Sequence, residues 1–271
     1  MRHALRVGLG EADGHVVREM ELAHLAVASQ DMSAERLAEL IRTHQPCVVL
    51  TGAGVSTESG IPDFRSPTGI WAQIDPMEYA SLPAFRADPE KVWTFYAPRI
   101  EMLTGAEPND AHHALAELER RRFVQAVVTQ NIDLLHTRAG SREVVEVHGS
   151  ISTASCLACG HREPLEESLL PVPRCPDCGA VLKPDVVFFG ELLPPAAIDR
   201  AYELARGAAL MLVIGSALEV YPVAELPLET LRAGGSLAIV NRGPTALDER
   251  AELKVDDSAG ETLRQVVTVL T

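Results

Sequence analysis

Residues 47–65 read CVVLTGAGVSTESGIPDFR, and this stretch decides the fold that the sequence predicts. The apolar run at 47–50 indicates a buried strand of a parallel sheet. Gly52 and Gly54 then form a turn without side chains, which would let backbone N–H groups approach a diphosphate. A strand, a glycine turn and a polar continuation together predict a dinucleotide site at the carboxyl end of a parallel sheet.

The glycine spacing departs from the usual dinucleotide fingerprint, because the glycine that follows Gly54 is Gly60. An ordinary strand-to-helix turn is therefore the alternative. The polar cluster that comes next favours a binding site, since a simple connector would not need so many charged and hydroxyl side chains. The candidate cofactor ligands of this stretch are Gly52, Ala53, Gly54, Ser56, Asp63, Phe64 and Arg65.

The composition fits one large globular domain with insertions: 271 residues, 46% of them hydrophobic and 23% charged. The formal net charge of −14 argues against nucleic acid or an anionic membrane as the main partner, because both need a basic face. Acidity would suit a lysine-rich partner, although many enzymes are acidic for solubility alone. The sequence has no long apolar run and no signal-peptide pattern, so a cytoplasmic enzyme is expected.

Predicted strands and helices alternate along the chain. The strands are at 47–50, 123–129, 144–147, 209–214 and 237–240. The first predicted helix begins at Met32–Ser33, where Ser33 can cap it. Further helices run from 109 or 110 to 122, cover 196–206 and 223–232, and begin at Ser258, where Glu261 has the capping-box spacing. This order predicts an α/β fold, a doubly wound, Rossmann-like parallel sheet.

Two segments interrupt the alternation. Residues 71–108 hold most of the aromatic side chains together with several prolines, which predicts a helical insertion over the site. Residues 153–181 form a second insertion that contains four of the five cysteines. We expect a catalytic domain at 32–271, with a core made of 32–70, 109–152 and 182–271. For residues 1–31 two interpretations stay open: a disordered N-terminal extension, or a stretch upstream of the true start.

The cysteines of the second insertion follow the pattern Cys156-x-x-Cys159, fifteen residues, Cys175-x-x-Cys178. This spacing is typical of a four-thiolate zinc site. Two disulfides are the alternative, which a cytoplasmic chain disfavours. Thiolates fill all four positions, so the single zinc would be structural and would leave no position open for water. Binding of nucleic acid by such a zinc ribbon conflicts with its acidic flanks.

Polar residues gather where the predicted strands end, and in an open parallel sheet these ends converge on one crevice. A lone histidine after a strand is often structural. His148, however, shares its rim with Gln130, Asn131 and Asp133, which favours a general base. His136 is interpreted as structural. The remaining cofactor candidates at these ends are Ile132, Gly215, Ser216, Ala217, Asn241, Arg242 and Gly243.

The same motifs carry a resemblance to a known family. Residues 51–65, QNID at 130–133, the pair His148–Gly149, both cysteine pairs, KPDVVFFGE at 183–191 and Gly215–Ser216 resemble sirtuin motifs in sirtuin order. Sirtuins are NAD-dependent protein deacylases, and the resemblance, to their bacterial type, spans about residues 47–260. It implies that an acyl group is removed from the lysine of a protein partner, acetyl first of all. The products would be nicotinamide and an O-acyl-ADP-ribose.

The resemblance also implies roles for the reaction centre. His148 would take a proton from a ribose hydroxyl. Asn131, a second catalytic candidate, and Asp133 would hold the nicotinamide ribose and carboxamide, and Gln130 would contact ribose. Phe64 would shield the sugar carbon from water, and loss of nicotinamide makes that shielding necessary because positive charge builds on the sugar.

Further roles concern the two ends of the crevice. Arg65 would steady the loop and the phosphates, and the adenosine end would meet Ser216, Asn241 and the backbone near Ala259. The substrate peptide would lie as an added strand on the segment Val187, Phe188, Phe189, Gly190 and Glu191. One departure from the family pattern is Ala217, which replaces a hydroxyl residue and puts one ribose contact in doubt.

Tyr96 and Arg99 have the Tyr-x-x-Arg spacing of sirtuins that accept acidic acyl chains such as succinyl. A guanidinium and a phenol could together bind a terminal carboxylate. Against this, Pro98 disfavours a regular helix at that point, so the two side chains need not share a face. A surface ion pair of Arg99 with a nearby acid is the other alternative, and deacetylation remains the main interpretation.

Three rival functions fit parts of the sequence. An NAD-linked oxidoreductase fits the sheet but leaves the closed cysteine site unexplained. A zinc-ribbon nucleic-acid binder conflicts with the charge. Mono-ADP-ribosyl transfer uses the same activated sugar and is the closest rival.

Overall fold

The computed structural model describes residues 32–271, so the two interpretations of residues 1–31 concern a part of the chain outside it. The first described residues form helix α1, at 32–43. The sequence predicts that this helix begins at Met32–Ser33, and these are its first two described residues.

The described residues contain nine strands: β1 Cys47–Thr51, β2 Ala126–Thr129, β3 Val144–Glu146, β4 Gly149–Ser155, β5 Arg162–Pro164, β6 Lys183–Val186, β7 Leu210–Ile214, β8 Ser236–Val240 and β9 Leu253–Val255. Six of them form a parallel sheet in the order β3-β2-β1-β7-β8-β9. The predicted doubly wound fold is confirmed. The strand order reverses between β1 and β7, which is where such sheets open a crevice at the carboxyl ends of their strands.

Further helices are α2 Pro76–Tyr79, α3 Leu82–Ala87, α4 Pro89–Gly105, α5 Asp110–Arg120, α6 Leu135–Arg138, α7 Pro195–Gly207, α8 Leu226–Arg232 and α9 Ala259–Val269. None of the helices between residues 32 and 271 combines the length and the apolar character that a membrane span needs.

Strand β1 shows why the sheet needs helices on both faces. All five of its residues are buried, and alternate side chains point to opposite faces. Val49 packs with α1, α5 and α9 on one face. Val48 and Leu50 pack with α7 and α8 on the other. A strand that is buried on both faces has apolar residues at every position, and the apolar run 47–50 therefore predicted β1.

The helical insertion corrects one expectation. Helix α4 continues through Pro98, so the prediction that this proline disfavours a regular helix there is wrong. A proline inside a helix costs about 3 kcal/mol. Here the opposing gain is larger, because α4 buries Trp93, Phe95, Tyr96 and four further side chains, and each large apolar one contributes about 1.5–3 kcal/mol.

Strands β5, β4 and β6 form a second, antiparallel sheet in that order. It begins at Gly149 and ends at Val186, so it reaches beyond the predicted insertion 153–181 on both sides. The cysteine pairs follow β4 and precede β6. His148 lies in the turn between β3 and β4 and therefore at the junction of the two sheets.

Candidate active site

The glycine turn after β1 packs directly against the turn after β7. Gly52 N–H donates to Ile214 O at 3.0 Å, and Gly54 N–H donates to Gly215 O at 2.9 Å. A Cβ atom on Gly54 would lie 2.7 Å from Gly215 Cα. These two glycines thus serve a contact between two loops, and their amides are not free for a diphosphate as the sequence had suggested. Ala53 begins the 3₁₀ turn that follows.

Below this turn lies a buried network that joins three of the predicted residues. Ser56 Oγ donates to Asp133 Oδ2 at 2.7 Å. Asn131 Nδ2 donates to Ser56 Oγ and to Gly52 O, each at 3.1 Å. Burial raises the pKa of the Asp133 carboxyl above its ordinary value. The network fixes the Asn131 amide and the Asp133 carboxyl at the floor of the crevice.

The network continues into side chains that the sequence analysis did not assign to the site. His112 Nε2 lies 3.5 Å from Ser56 Oγ, and the His112 ring lies 4.8 Å from that of His136. His136 Nε2 lies 2.9 Å from Thr51 Oγ1, which donates to Thr129 Oγ1 at 2.8 Å. His136 is buried, in keeping with the structural role predicted for it. The available signal for His112 was its position three residues after Asn109, with which it forms a capping box.

The imidazole of His148 is oriented by a backbone carbonyl. Its Nδ1 lies 3.0 Å from Gln130 O, which can only accept, so Nδ1 carries the proton and Nε2 has a free lone pair. Burial lowers the pKa of His148; the bond to Gln130 opposes this effect and the charge of Arg65 adds to it. A neutral imidazole with an available Nε2 is suited to accept a proton.

The loop from Asp63 to Arg65 is ordered by its own carboxylate and by a ring contact. Asp63 Oδ1 accepts from the N–H groups of Arg65 and Ser66 at 2.9 and 2.7 Å. The Phe64 ring stacks on Trp71 with centroids 5.2 Å apart. Arg65 Nε lies 3.4 Å from a carboxylate oxygen of Glu219, beyond the end of β7.

Polar residues that follow β2, β7 and β8 form the predicted adenosine end. Gln130 Nε2 donates to Ser216 Oγ at 3.0 Å. Asn241 Nδ2 donates to Arg242 O at 3.0 Å and to Gly243 O at 3.3 Å. The loop 241–243 is also held by Lys254, whose Nζ donates to Asn241 O and Gly243 O at 2.9 and 2.8 Å.

Lys254 was not found from the sequence, because the short strand β9 that carries it gave no recognised pattern.

Three other predicted residues contribute through their backbone or their position. Ile132 O accepts from Ile151 N at 3.2 Å, and Ala217 O accepts from Ala246 N at 3.1 Å. Ala259 begins α9, next to Ser258, whose hydroxyl accepts from Glu261 N and donates to Glu58 of the glycine loop. Only half of the predicted capping box forms, because the Glu261 side chain binds Arg264 and Gln265.

The predicted substrate segment forms a turn after β6. Val187 N–H donates to His148 O at 2.9 Å, which joins this turn to the histidine. Phe188 is buried, and Phe189 and Gly190 are exposed. Glu191 Oε2 accepts from Phe188 N at 2.8 Å and lies 2.9 Å from Lys183 Nζ.

Tyr96 and Arg99 lie on α4, behind this turn. The Tyr96 ring stacks on Phe188 at 5.1 Å. The Arg99 guanidinium lies 3.5 Å above the Phe95 ring and donates to Phe95 O at 2.7 Å. Arg99 lines a cavity of about 430 Å³, and its Nε is buried without a partner. Within residues 32–271 no carboxylate lies within 4.0 Å of Arg99, so the alternative of a surface ion pair is not met.

The four cysteines of the second insertion converge. Their Sγ atoms all lie within 4.8 Å of one another, and Cys156–Cys178 and Cys159–Cys175 are each 3.5 Å apart. All are free thiols, which is against the disulfide alternative. Zinc with Zn–S bonds of about 2.3 Å needs sulfur separations of about 3.8 Å, so the set fits one ion. Cys47 is buried in β1, away from this cluster.

The family of this chain follows from its similarity to known proteins. The model of the Sir2 family matches residues 52–222, more than half of the chain. The chain belongs to the Sir2 family. The matched part runs from the glycine turn to the end of the loop after β7, and so includes the network, His148, the cysteines and the substrate turn.

Relatives of this Sir2-family chain are similar to it in sequence over most of its length. An NAD-dependent protein deacylase of Archaeoglobus fulgidus is 43% identical, over 86% of this chain and 96% of its own. An NAD-dependent protein deacetylase of Geobacillus kaustophilus is 48% identical, over 81% and 91%. A solved Sir2 structure with a p53 peptide and NAD⁺ has a TM-score of 0.80 and 42% identity, over 86% of this chain and 96% of its own.

Proposed function

We propose that this chain is an NAD-dependent protein-lysine deacylase that releases nicotinamide and transfers the acyl group to ADP-ribose. The observation that carries the proposal is the orientation of His148, whose Nδ1 is bonded to Gln130 O, the residue directly before Asn131, so that Nε2 keeps its lone pair. Relatives with this activity by name, and a family member solved with ADP-ribose at 42% identity, support it.

NAD would supply an electrophilic sugar carbon once nicotinamide departs, and the acyl oxygen of the substrate would attack that carbon. Asn131 and Asp133 would hold the nicotinamide end, since the Ser56 network fixes both side chains. His148 would accept a ribose proton at Nε2. The stacked Phe64 and Trp71 rings would exclude water from the sugar.

The rest of the cofactor assignment follows the same crevice. Gln130 would contact ribose, and Ser216, to which Gln130 is bonded, would meet the adenosine end together with the loop 241–243. Lys254 holds that loop. Ala217 offers no hydroxyl there. Acylated-lysine proteins are the proposed partners. A cytoplasmic setting remains a prediction, in keeping with the free thiols.

The test is nicotinamide release from NAD with a panel of acyl-lysine peptides. We expect release that depends strictly on the peptide and falls by at least about a hundredfold in His148→Ala, the usual contribution of a general base. Release without any peptide, together with NAD-labelled protein, would instead favour mono-ADP-ribosyl transfer.

A preference for acidic acyl groups is a second candidate within this activity. The supporting observation is the Arg99 guanidinium, half-buried and without a carboxylate partner among the described residues, on the same helix as Tyr96. An unpaired cation in a partly apolar setting favours a carboxylate ligand. The Arg99 guanidinium lies on the Phe95 ring, so it would have to turn toward Tyr96 to bind an acyl carboxylate there.

Acetyl- and succinyl-lysine peptides of one sequence separate the two specificities. If Arg99 binds the acyl carboxylate, Arg99→Ala lowers kcat/KM for succinyl at least about tenfold and spares acetyl. Arg86→Ala, at an exposed site of the same insertion, is the matched control. Equal rates of Arg99→Ala and wild type on both peptides would leave deacetylation as the specificity.

A further inference from the structure

Lys183 is a buried cation whose role is not explained by the reaction as described. It lies at the start of β6, directly before the substrate turn, and only 6% of its surface is exposed. Burial lowers the pKa of its ammonium group, while Glu191 opposes that effect. A buried charge is tolerated only when its hydrogen bonds and its counter-charge are in place.

The ammonium group meets three oxygens. Nζ donates to Pro184 O at 3.0 Å and to Val186 O at 2.7 Å, and it lies 2.9 Å from Glu191 Oε2. An ammonium group has three N–H donors, so all of them are used. Nζ also lies 4.1 Å from the centroid of the Phe188 ring, within the range of a cation–π contact.

Glu191 extends these contacts to the other end of the turn. The oxygen that faces Lys183 also accepts from Phe188 N at 2.8 Å. The ion pair therefore ties the strand end at Val186 to the backbone of Phe188 and to Glu191. The Lys183 ammonium group therefore holds both ends of the turn 186–191, Val186 through its carbonyl and Glu191 through its carboxylate.

The turn also fixes surfaces that the substrate needs. Its Val187 N–H bonds to the backbone oxygen of His148, and the Phe188 ring stacks on Tyr96. Both backbone groups of Phe189 are hydrogen-bonded at the start of α3. The Phe189 N–H donates to Ala80 O, and the Phe189 carbonyl accepts from Leu82 N. A shift of this turn would therefore displace the proposed peptide edge, and would leave the glycine loop and the adenosine end in place.

We propose that Lys183 is a positioning residue for the acyl-lysine substrate, which acts through the Glu191-bonded turn 186–191 and not through NAD. This inference rests on the proposed function for the nature of the substrate. It goes beyond that function by assigning a residue whose loss affects one substrate and spares the other.

The variants are Lys183→Met, Lys183→Arg, the neutral pair Lys183→Met with Glu191→Gln, and the control Lys91→Met at an exposed site on α4. The amide oxygen that Glu191→Gln introduces can still accept from Phe188 N, so the double variant removes both charges and keeps that bond. Each protein is measured for the KM of acyl peptide and of NAD, for peptide and ADP-ribose affinity by calorimetry, and for Tm.

Lys183→Met should raise the peptide KM and Kd by about tenfold or more, because Pro184 O and Val186 O lose the donor that holds the turn. It should lower Tm as well, because the Glu191 carboxylate loses its counter-charge, and it should keep the ADP-ribose Kd within about twofold. Lys183→Arg, which keeps the charge and the donors, should recover most of the peptide affinity. The double variant should recover Tm but not peptide affinity, since Pro184 O and Val186 O still lack donors. Lys91→Met should match wild type.

Two results would overturn the inference. One is a peptide Kd that Lys183→Met leaves unchanged, or an equal rise in peptide and ADP-ribose Kd. The other is a double variant that recovers peptide affinity together with Tm, because charge pairing alone would then explain the effect. Wild-type protein that binds acyl peptide but releases no nicotinamide would count against the proposed function and not against Lys183.

Discussion

The bond between His148 Nδ1 and Gln130 O decides what the histidine can do. A carbonyl cannot donate, so the proton of the neutral ring stays on Nδ1 and Nε2 keeps its lone pair. Burial and the nearby charge of Arg65 both favour the neutral ring. The same residue in a solvated turn would have the higher, ordinary pKa, so a larger fraction would already be protonated at Nε2 and could not act as a base.

This environment predicts the pH dependence of the reaction. The base must be neutral, and its pKa is lowered from 6.5, so kcat/KM should fall on the acid side with a midpoint below 6.5. The measurement is the rate of nicotinamide release between pH 5 and 8 with subsaturating peptide. A midpoint above 6.5 would contradict the lowered pKa of His148.

The buried pair His112 and His136 predicts a loss of stability in acid. Burial lowers the pKa of His112 to about 4 and that of His136 to about 3, whereas in the unfolded chain both titrate near 6.5. The unfolded state therefore binds more protons below 6.5. The free energy of unfolding therefore has its highest value above pH 6.5. As the pH is lowered from 6.5 to the pKa of each ring in the folded state, that ring reduces it by about 1.4 kcal/mol per pH unit.

Urea unfolding at pH 7, 6 and 5 tests this expectation. His136→Asn should make the fall shallower, because one of the two buried rings is then absent. Equal slopes in wild type and His136→Asn would show that the buried ring does not carry the effect.

At the scale of elements, the site depends on two loops that touch through backbone alone. The turn after β1 and the turn after β7 approach so closely that neither leaves room for a side chain. Gly215 has φ +61°, in the left-handed region, and a Cβ there would lie 2.3 Å from Val55 N. Sequence spacing suggested phosphate-binding glycines, yet the contact that needs them is with the neighbouring strand's loop.

Gly215→Ala should therefore disrupt the crevice. The left-handed conformation alone costs alanine about 1–2 kcal/mol, and the clash of its Cβ with the backbone adds to this cost. We therefore expect the free energy of unfolding to fall by about 3 kcal/mol or more. Thermal unfolding and ADP-ribose affinity measure the result. Gly207→Ala, where a Cβ meets nothing within 4 Å, should keep both values close to wild type. Similar behaviour of the two variants would refute the close-approach explanation.

At the scale of the whole molecule, the two insertions pack on each other as well as on the sheet. Trp93 of α4 donates from Nε1 to Leu182 O at 2.8 Å, between the cysteines and β6. Arg174 and Glu90 form an ion pair between the same two insertions, 2.6 Å apart. The cysteine cluster is thereby connected to the helix that carries Tyr96 and Arg99.

Removal of metal should consequently change the surroundings of Trp93. In a Trp71→Phe background Trp93 is the remaining tryptophan, and we expect a strong chelator to shift its emission to longer wavelength as β6 loosens. Metal analysis should give about one zinc per chain, lost in Cys175→Ser and kept in Cys47→Ala. Unchanged emission after complete zinc loss would argue against this connection.

The sequence by itself determined the features that depend on local pattern. Buried strands such as β1 are apolar runs in the sequence, and the predicted cysteines converge in the folded chain. Of the predicted strand-end residues, Asn131 and Asp133 are joined through Ser56, and His148 is bonded to Gln130. Parallel strands bring their carboxyl ends to one edge whatever the loops between them contain, which is why this much was predictable.

Only the tertiary structure decided what depends on distant partners. The helix through Pro98 is stabilised by the core it packs into, β9 is defined by its pairing with β8, and Gly54 is needed because Gly215 faces it. Nothing in the local sequence shows that Lys183 is buried. It is buried because the turn 186–191 covers its ammonium group. Such roles arise from contacts between residues far apart in sequence or from a chain reversal, and no local periodicity encodes them.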